Sequence, residues 1–309
     1  MQKTKAPESP RGVLLVLAMV LLFGSWPGEG RAQETPIFPS ITANPTGQHE
    51  PGKFVWYDLV TKDVETAKRF YGELFGWEYR SDPANDFFTV IVLAGRPIAG
   101  IILEDRVSDE SAVARWYSSV SVASVDKTVK TARDREATIS IPPTDLPERG
   151  RYSVLRDPQG AALVLLRAAG GDPTDPAEFA AGSFLWTELW TRDATAAVSF
   201  YEAVLGYTAE FRGDEVRRYF VLSRDGEARA GLGQLPPVDA DPLWLPYVAV
   251  RDVQTIVSRV PDLGGEVIVR PEATQRGSAA VIADPSGGVI AVQQWPMPAS
   301  NEGEEEEKR

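Results

Sequence analysis

Apolar and polar side chains alternate along residues 54–60, with Val55, Tyr57 and Leu59 on one face and Phe54, Trp56, Asp58 and Val60 on the other. That is the two-residue period of a strand. The period then lengthens: Val64, Ala67, Phe70, Tyr71 and Leu74 recur at helical spacing and form one apolar stripe. Asp63 stands where a short carboxylate can cap the first turn, and Gly76 where a left-handed residue can end the helix. Three short β-rich stretches follow at 77–80, 87–93 and 98–103, separated by Asn, Asp and Gly-Arg-Pro turns. The pattern predicts a unit of one strand, one helix and three strands.

A second such unit opens at Trp116 and closes on a hairpin whose turn is Asp157-Pro158-Gln159-Gly160. The C-terminal half repeats the first: FVWYDLVTKDVETAKRFYGELFGW at 54–77 returns as FLWTELWTRDATAAVSFYEAVLGY at 184–207. Trp244 opens the matching unit, and Asp284-Pro285-Ser286-Gly287 repeats the closing turn. The expected fold class is therefore α+β, four βαβββ units in two domains, 53–167 and 182–296, joined by a Gly/Asp/Pro-rich linker at 168–181.

The ends differ from this pattern. Lys3, Lys5 and Arg11 precede an apolar run at 13–23, and Gly30-Arg31-Ala32 follows with small residues at the positions a signal peptidase reads. Residues 1–32 are expected to be a signal peptide, and the chain to be exported to the periplasm or secreted. The run is short against the roughly 20 residues of a membrane span, so cleavage leaves no stable span, the alternative being a retained anchor. Residues 33–52, rich in Pro, Thr, Asn and Gly, suggest a flexible spacer, which holds His49, the sole histidine. Residues 297–309 suggest a disordered acidic tail.

Composition narrows the chemistry. The chain has 309 residues, 43% of them hydrophobic, enough for two full-sized cores. With no cysteine, those cores must hold an exported protein without disulfides. A formal charge of −12 opposes binding to phosphate backbones and excludes nucleic acid as a partner.

The segments TKDVETAKRFYGELFGW and TRDATAAVSFYEAVLGY, the two DP-x-G hairpins and their spacing resemble the vicinal oxygen chelate superfamily, also called the glyoxalase/bleomycin-resistance/dioxygenase family. The resemblance runs from Gly52 to Trp295. It implies two glyoxalase-like domains with curved, cleft-forming mixed sheets, and a monomeric pseudo-dimer imitating the dimers of shorter relatives. Enzymes of the superfamily usually hold a divalent metal through His, Glu or Gln on first strands and Glu on last strands. Carried over, the first-strand positions fall on Trp56, Tyr117, Trp186 and Leu245, and the last-strand positions on Val164 and Ala291. None is a suitable ligand, so neither metal nor cofactor is expected; a carboxylate-only site at Asp58 or Glu188 would suit transition metals poorly.

The face opposite the helix would carry Trp56 and Asp58 in one half and Trp186, Glu188 and Trp190 in the other. Tryptophans flanking an acid suit a flat or cationic ligand. Expected ligand contacts are Trp56, Asp58, Tyr117, Trp186, Glu188, Trp190 and Tyr247. The leading functional expectation is metal-independent binding of a small molecule in an aromatic cleft. One alternative is a metal-free isomerase or lyase using Asp58 or Glu188 as general base. Another is a non-catalytic structural or partner-binding module, with these acids accepting from an arginine or from backbone amides at the domain seam.

Overall fold

The computed structural model describes residues 38–83, 85–104, 113–214, 218–236, 240–272 and 278–296. The expected signal peptide and acidic tail lie outside them. The first unit comprises β1 (Phe54–Thr61), α1 (Val64–Phe75), β2 (Glu78–Asp82), β3 (Asn85–Leu93) and β4 (Arg96–Leu103). The second comprises β5 (Arg115–Ser121), α2 (Val125–Arg133), β6 (Thr138–Leu146), β7 (Gly150–Arg156) and β8 (Ala162–Ala168). The third comprises β9 (Phe184–Thr191), α3 (Ala194–Leu205), β10 (Thr208–Phe211), β11 (Tyr219–Arg224) and β12 (Glu227–Gln234). The fourth comprises β13 (Leu243–Val250), α4 (Val253–Arg259), β14 (Glu266–Glu272), β15 (Ala279–Ala283) and β16 (Val289–Gln294). Asp63 caps α1 by accepting the Thr66 amide, and Gly76 ends it at φ 70°, a left-handed conformation that glycine adopts without steric cost.

Each pair of units forms one eight-stranded sheet, in the orders β2-β3-β4-β1-β5-β8-β7-β6 and β10-β11-β12-β9-β13-β16-β15-β14. β1 runs parallel to β4 and antiparallel to β5, so the two units of a sheet join along their first strands. This register sets Asp58 between Gly100 and Tyr117. β9 repeats the arrangement, with Glu188 between Gly231 and Leu245.

The start of β1 departs from simple alternation. A register shift between Phe54 and Trp56 marks a bulge, which admits one extra residue and reverses the faces before it. Phe54, expected beside Trp56, packs instead on the helix side against Trp244, with ring centroids 5.0 Å apart. Val55, expected on the helix side, is buried with Trp56 in the cleft.

The helix-side cores cross between the two sheets. Tyr57, Leu59, Phe70, Tyr71 and Leu74 from the first unit share a buried cluster with Val248, Val253, Ile256, Ile282 and Ile290 from the fourth. Val120, Val129 and Leu163 from the second unit share one with Leu189, Phe200, Tyr201 and Leu222 from the third. Polar clasps tie the same pairs. The Tyr71 hydroxyl donates to Asp284 at 2.9 Å and accepts from the Trp116 indole at 2.9 Å. Tyr201 donates to Asp157 at 3.0 Å and accepts from Trp244 at 3.0 Å. Asp284 also accepts the amides of Ser286 and Gly288, so the carboxylate that shapes each DP-x-G turn also grips the opposite half.

Residues 38–52 correct the expectation of a flexible spacer over the part described. Phe38 and Ile41 are buried, the Gly47 amide donates to the Gly170 carbonyl, the Asp172 amide to the Gln48 carbonyl, and the Glu50 amide to the Asp172 carboxylate. Apolar anchors at one end and a short ladder at the other outweigh a loop-like composition. The linker shares in this packing, because Asp172 is itself buried.

Candidate functional site

The two clefts open from the same framework. On the first sheet Trp56 is 1% exposed, and its indole donates to Asp58 at 2.9 Å. The other Asp58 oxygen accepts from Arg149 Nη1 at 3.0 Å. The Arg149 guanidinium is enclosed by the rings of Trp56, Phe88 and Phe38, with centroids 5.0, 5.1 and 5.4 Å from Cζ. Burial raises the Asp58 carboxyl above its ordinary value, with the Arg149 charge and the Trp56 bond opposing. With Phe38 and Ile41 packed into this cluster, the first cleft is filled by the chain itself.

Asp58 and Trp56 therefore stand as an internal ion-pair site, not as the open ligand contacts expected of them. Both oxygens of Asp58 are engaged and the space around them is packed by Phe38 and Ile41, so no substrate proton can come within reach of a general base there. Tyr117 lies opposite Asp58 across the β1–β5 pair and is half-buried. Burial raises its phenol, while Arg156 and Arg115 pull it down.

The second cleft is built differently around its acid. Glu188 accepts from the Tyr219 hydroxyl at 2.6 Å on one oxygen and from Tyr247 at 2.6 Å on the other. Burial, and then the Glu188 charge, hold Tyr247 well above the ordinary phenol value, so it stays a protonated donor. Trp186 and Trp190 are half-buried beside Leu243, Val281 and Val289, around a floor of Leu245, Tyr247 and Ala291. Here the tryptophans remain partly exposed where Trp56 is sealed.

Glycines make this arrangement possible. A Cβ on Gly231 would collide with the Tyr219 hydroxyl and meet Glu188 Cγ at 2.9 Å; one on Gly233 would come within 2.8 Å of the Trp190 ring. Gly100 occupies the matching place, where a Cβ would strike Asp58 and Phe88. Tyr219 and Arg149 are site residues that sequence reasoning missed. A signal for Tyr219 existed: it precedes Gly231 by the same interval, 12 residues, by which Phe88 precedes Gly100.

The fold also supplies the fourth-strand positions left open by the motifs, and they are Gly100 and Ile102 on β4 and Gly231 and Gly233 on β12. The other cleft-facing positions are Tyr117 and Val164 in one half and Leu245 and Ala291 in the other. Among the described residues no three His, Cys, Asp or Glu side chains converge on one point. This donor set does not fit a divalent metal held in the superfamily's manner.

Paired βαβββ units carrying a cleft on each sheet define the class of protein. The chain belongs to the Glyoxalase/Bleomycin resistance protein/Dioxygenase superfamily, whose family model matches residues 53–165 and 183–292. It is 30% identical over 253 residues to CFP32 of Mycobacterium tuberculosis, named as a supposed glyoxylase, covering 79% of this chain and 95% of that one. It is 29% identical over 259 residues to the anthracycline biosynthesis protein DnrV of Streptomyces peucetius, covering 78% of this chain and 93% of the relative. Among solved structures, the Mn(II)-bound glyoxalase from Novosphingobium aromaticivorans aligns at a TM-score of 0.56 and 16% identity, over 79% of this chain and 82% of that one. The 2,3-dioxygenase LapB from Pseudomonas sp. KL28 aligns at 0.53 and 14%, over 80% and 93%. At such identities the likeness to solved structures is one of fold.

Proposed function

We propose that this protein binds a flat aromatic small molecule in its second cleft, without a metal, as an exported monomeric pseudo-dimer. One observation carries the reading: Trp186 and Trp190 stay partly exposed around a carboxylate fixed by two tyrosine hydroxyls. The indole faces would stack on the ligand's rings. The anthracycline names of two relatives favour a fused-ring ligand of this kind. The sheet positions that carry metal ligands in the superfamily's enzymes favour metal independence here, because they bear Trp, Tyr, Leu, Ile, Val, Ala and Gly. Export rests on the pattern of residues 1–32.

Glu188 as a catalytic base has less support, since two short hydrogen bonds already draw on its oxygens. A thermal-shift screen of aromatic compounds, run with EDTA and with added divalent metals, tests the reading. The expected result is a stabilising hit unaffected by EDTA and weakened by Trp186→Phe and Trp190→Phe. Binding that EDTA abolishes would overturn metal independence; a hit insensitive to both tryptophans would overturn the site.

A further inference from the structure

One transverse row of residues crosses each cleft, and the chain covers only the first. In the first sheet Ile141, Val154, Val164, Ser119 and Trp56 stand side by side on β6, β7, β8, β5 and β1. In the second, Val269, Val281, Ala291, Tyr247 and Trp186 hold the same places on β14, β15, β16, β13 and β9. The outer strands match even in their irregularity. A register shift follows Ile139 on β6 and Val267 on β14, and both of those side chains pack on the helix side. The extra residue at each bulge then turns Ile141 and Val269 to the cleft.

What differs is the cover. Ile141, Val154 and Trp56 share one buried cluster with Phe38 and Ile41, and Ile141 is 4% exposed. Its counterpart Val269 is 51% exposed, while Val281 and Trp186 are half-buried. Among the described residues, the other large apolar side chains this open are Val113, Phe211 and Ile268. The chain covers its first row with an aromatic ring and, three residues on, a branched aliphatic group: Phe38 sits edge-on to Phe88, with centroids 5.3 Å apart, and Ile41 packs into the same cluster. The second row is as apolar and stays open at its far end.

We infer that the second cleft takes an aromatic compound with an apolar arm: its ring lies at Trp186, and its arm crosses β13, β16 and β15 to Val269, which sets the preferred length. The inference rests on the ligand reading of this cleft and adds the ligand's shape to it. Four strand spacings separate β9 from β14, roughly 19 Å at about 4.8 Å each. A single ring at Trp186 would leave the far end of the row in water. Phe38 with Ile41 shows what such a row accepts, a ring followed by an aliphatic group without charge. Ala291 and Val281 present no polar side-chain atom along the path, so a charged arm would lose its hydration there without a partner.

Isothermal titration of the full chain with 2-naphthyl alkyl ketones, from the methyl to the octyl ketone, tests it. Affinity should rise about threefold to fourfold with each methylene, the yield of burying one CH2 group, until the arm reaches Val269. Val269→Asp should weaken the octyl ketone about tenfold or more, because the arm would then meet a hydrated carboxylate, and leave the methyl ketone unchanged. Position 269 is exposed on an edge strand, so the melting temperature should stay within error of the wild type. Trp186→Phe should weaken every member alike. Methyl-ketone binding that depends on Trp186, with no gain along the series or a gain that survives Val269→Asp, would overturn the arm and leave the ring site standing. A series that fails to bind, or that ignores Trp186, would overturn the ring site and the arm with it.

Discussion

Tyr71 reaches across the seam between the two halves to donate to Asp284 at 2.9 Å, and the same hydroxyl accepts from the Trp116 indole. One oxygen atom therefore links α1, β5 and the last hairpin of the chain. Tyr71→Phe would leave a buried carboxylate oxygen and a buried indole N–H without that partner. The expected cost is about 2–4 kcal/mol, from two groups at the scale for lost buried bonds. Thermal unfolding checks it; Tyr201→Phe should cost a similar amount, and a loss within error in both would refute the clasp.

Asp58→Asn should be strongly destabilising, because it leaves the Arg149 guanidinium buried and without its counter-charge. The expected loss is about 3–5 kcal/mol. Adding Arg149→Met to Asp58→Asn should recover most of that loss, since the unpaired charge is gone and the amide oxygen can still accept from the Trp56 indole. A double variant no better than the single would contradict the ion-pair reading.

Gly231→Ala tests the second cleft from its floor. The new methyl would displace the Tyr219 hydroxyl from Glu188, because the strand beneath it lies inside the sheet. Overpacking of this kind costs about 1–3 kcal/mol. Affinity for the screened ligand should fall about tenfold or more with the lost hydrogen bond. Unchanged affinity would remove Tyr219 from the site.

The N-cap of α1 supplies a pH test. The Thr66 amide holds the Asp63 carboxyl below its ordinary value of 3.8, so the cap's contribution is present above that value and is lost as pH falls through the lowered one. Asp63→Ala should cost about 1 kcal/mol at neutral pH. The gap between variant and wild type, followed by urea unfolding, should close in acid below that carboxylate range. A gap constant to the lowest pH would mean that the carboxylate is not the cap.

Export predicts a new first residue. Expressed with its own N-terminus in a Gram-negative host, the chain should be recovered from the periplasm beginning at Gln33 or a close neighbour. N-terminal sequencing that finds Met1 on cytosolic protein would refute it.

The architecture was legible because each unit announces itself locally. Strand alternation, the Asp63 and Asp193 caps, the Gly76 and Gly206 stops and the DP-x-G turns all lie within a few residues of what they shape. The clefts were legible only in part. Trp56 and Trp186 sit in near-identical sentences, yet one is sealed and the other half-open. The difference comes from Phe38 and Arg149, which lie 18 and 93 residues away from Trp56, and no local period reports such contacts. The bulge at Val55 was hidden for a similar reason: an apolar residue satisfies either face, so alternation continues unbroken in the letters while the backbone slips.

The crossed cores also set an order for how the protein can be made. A ribosome releases Tyr57, Phe70 and Leu74 early, but the residues that cover them, Val248 to Val292, are the last of the folded region to be translated. The first apolar face therefore waits through nearly the whole of synthesis for its partner, and such long-range closure is slow. A nascent chain in that state remains threadable until its final hairpin emerges.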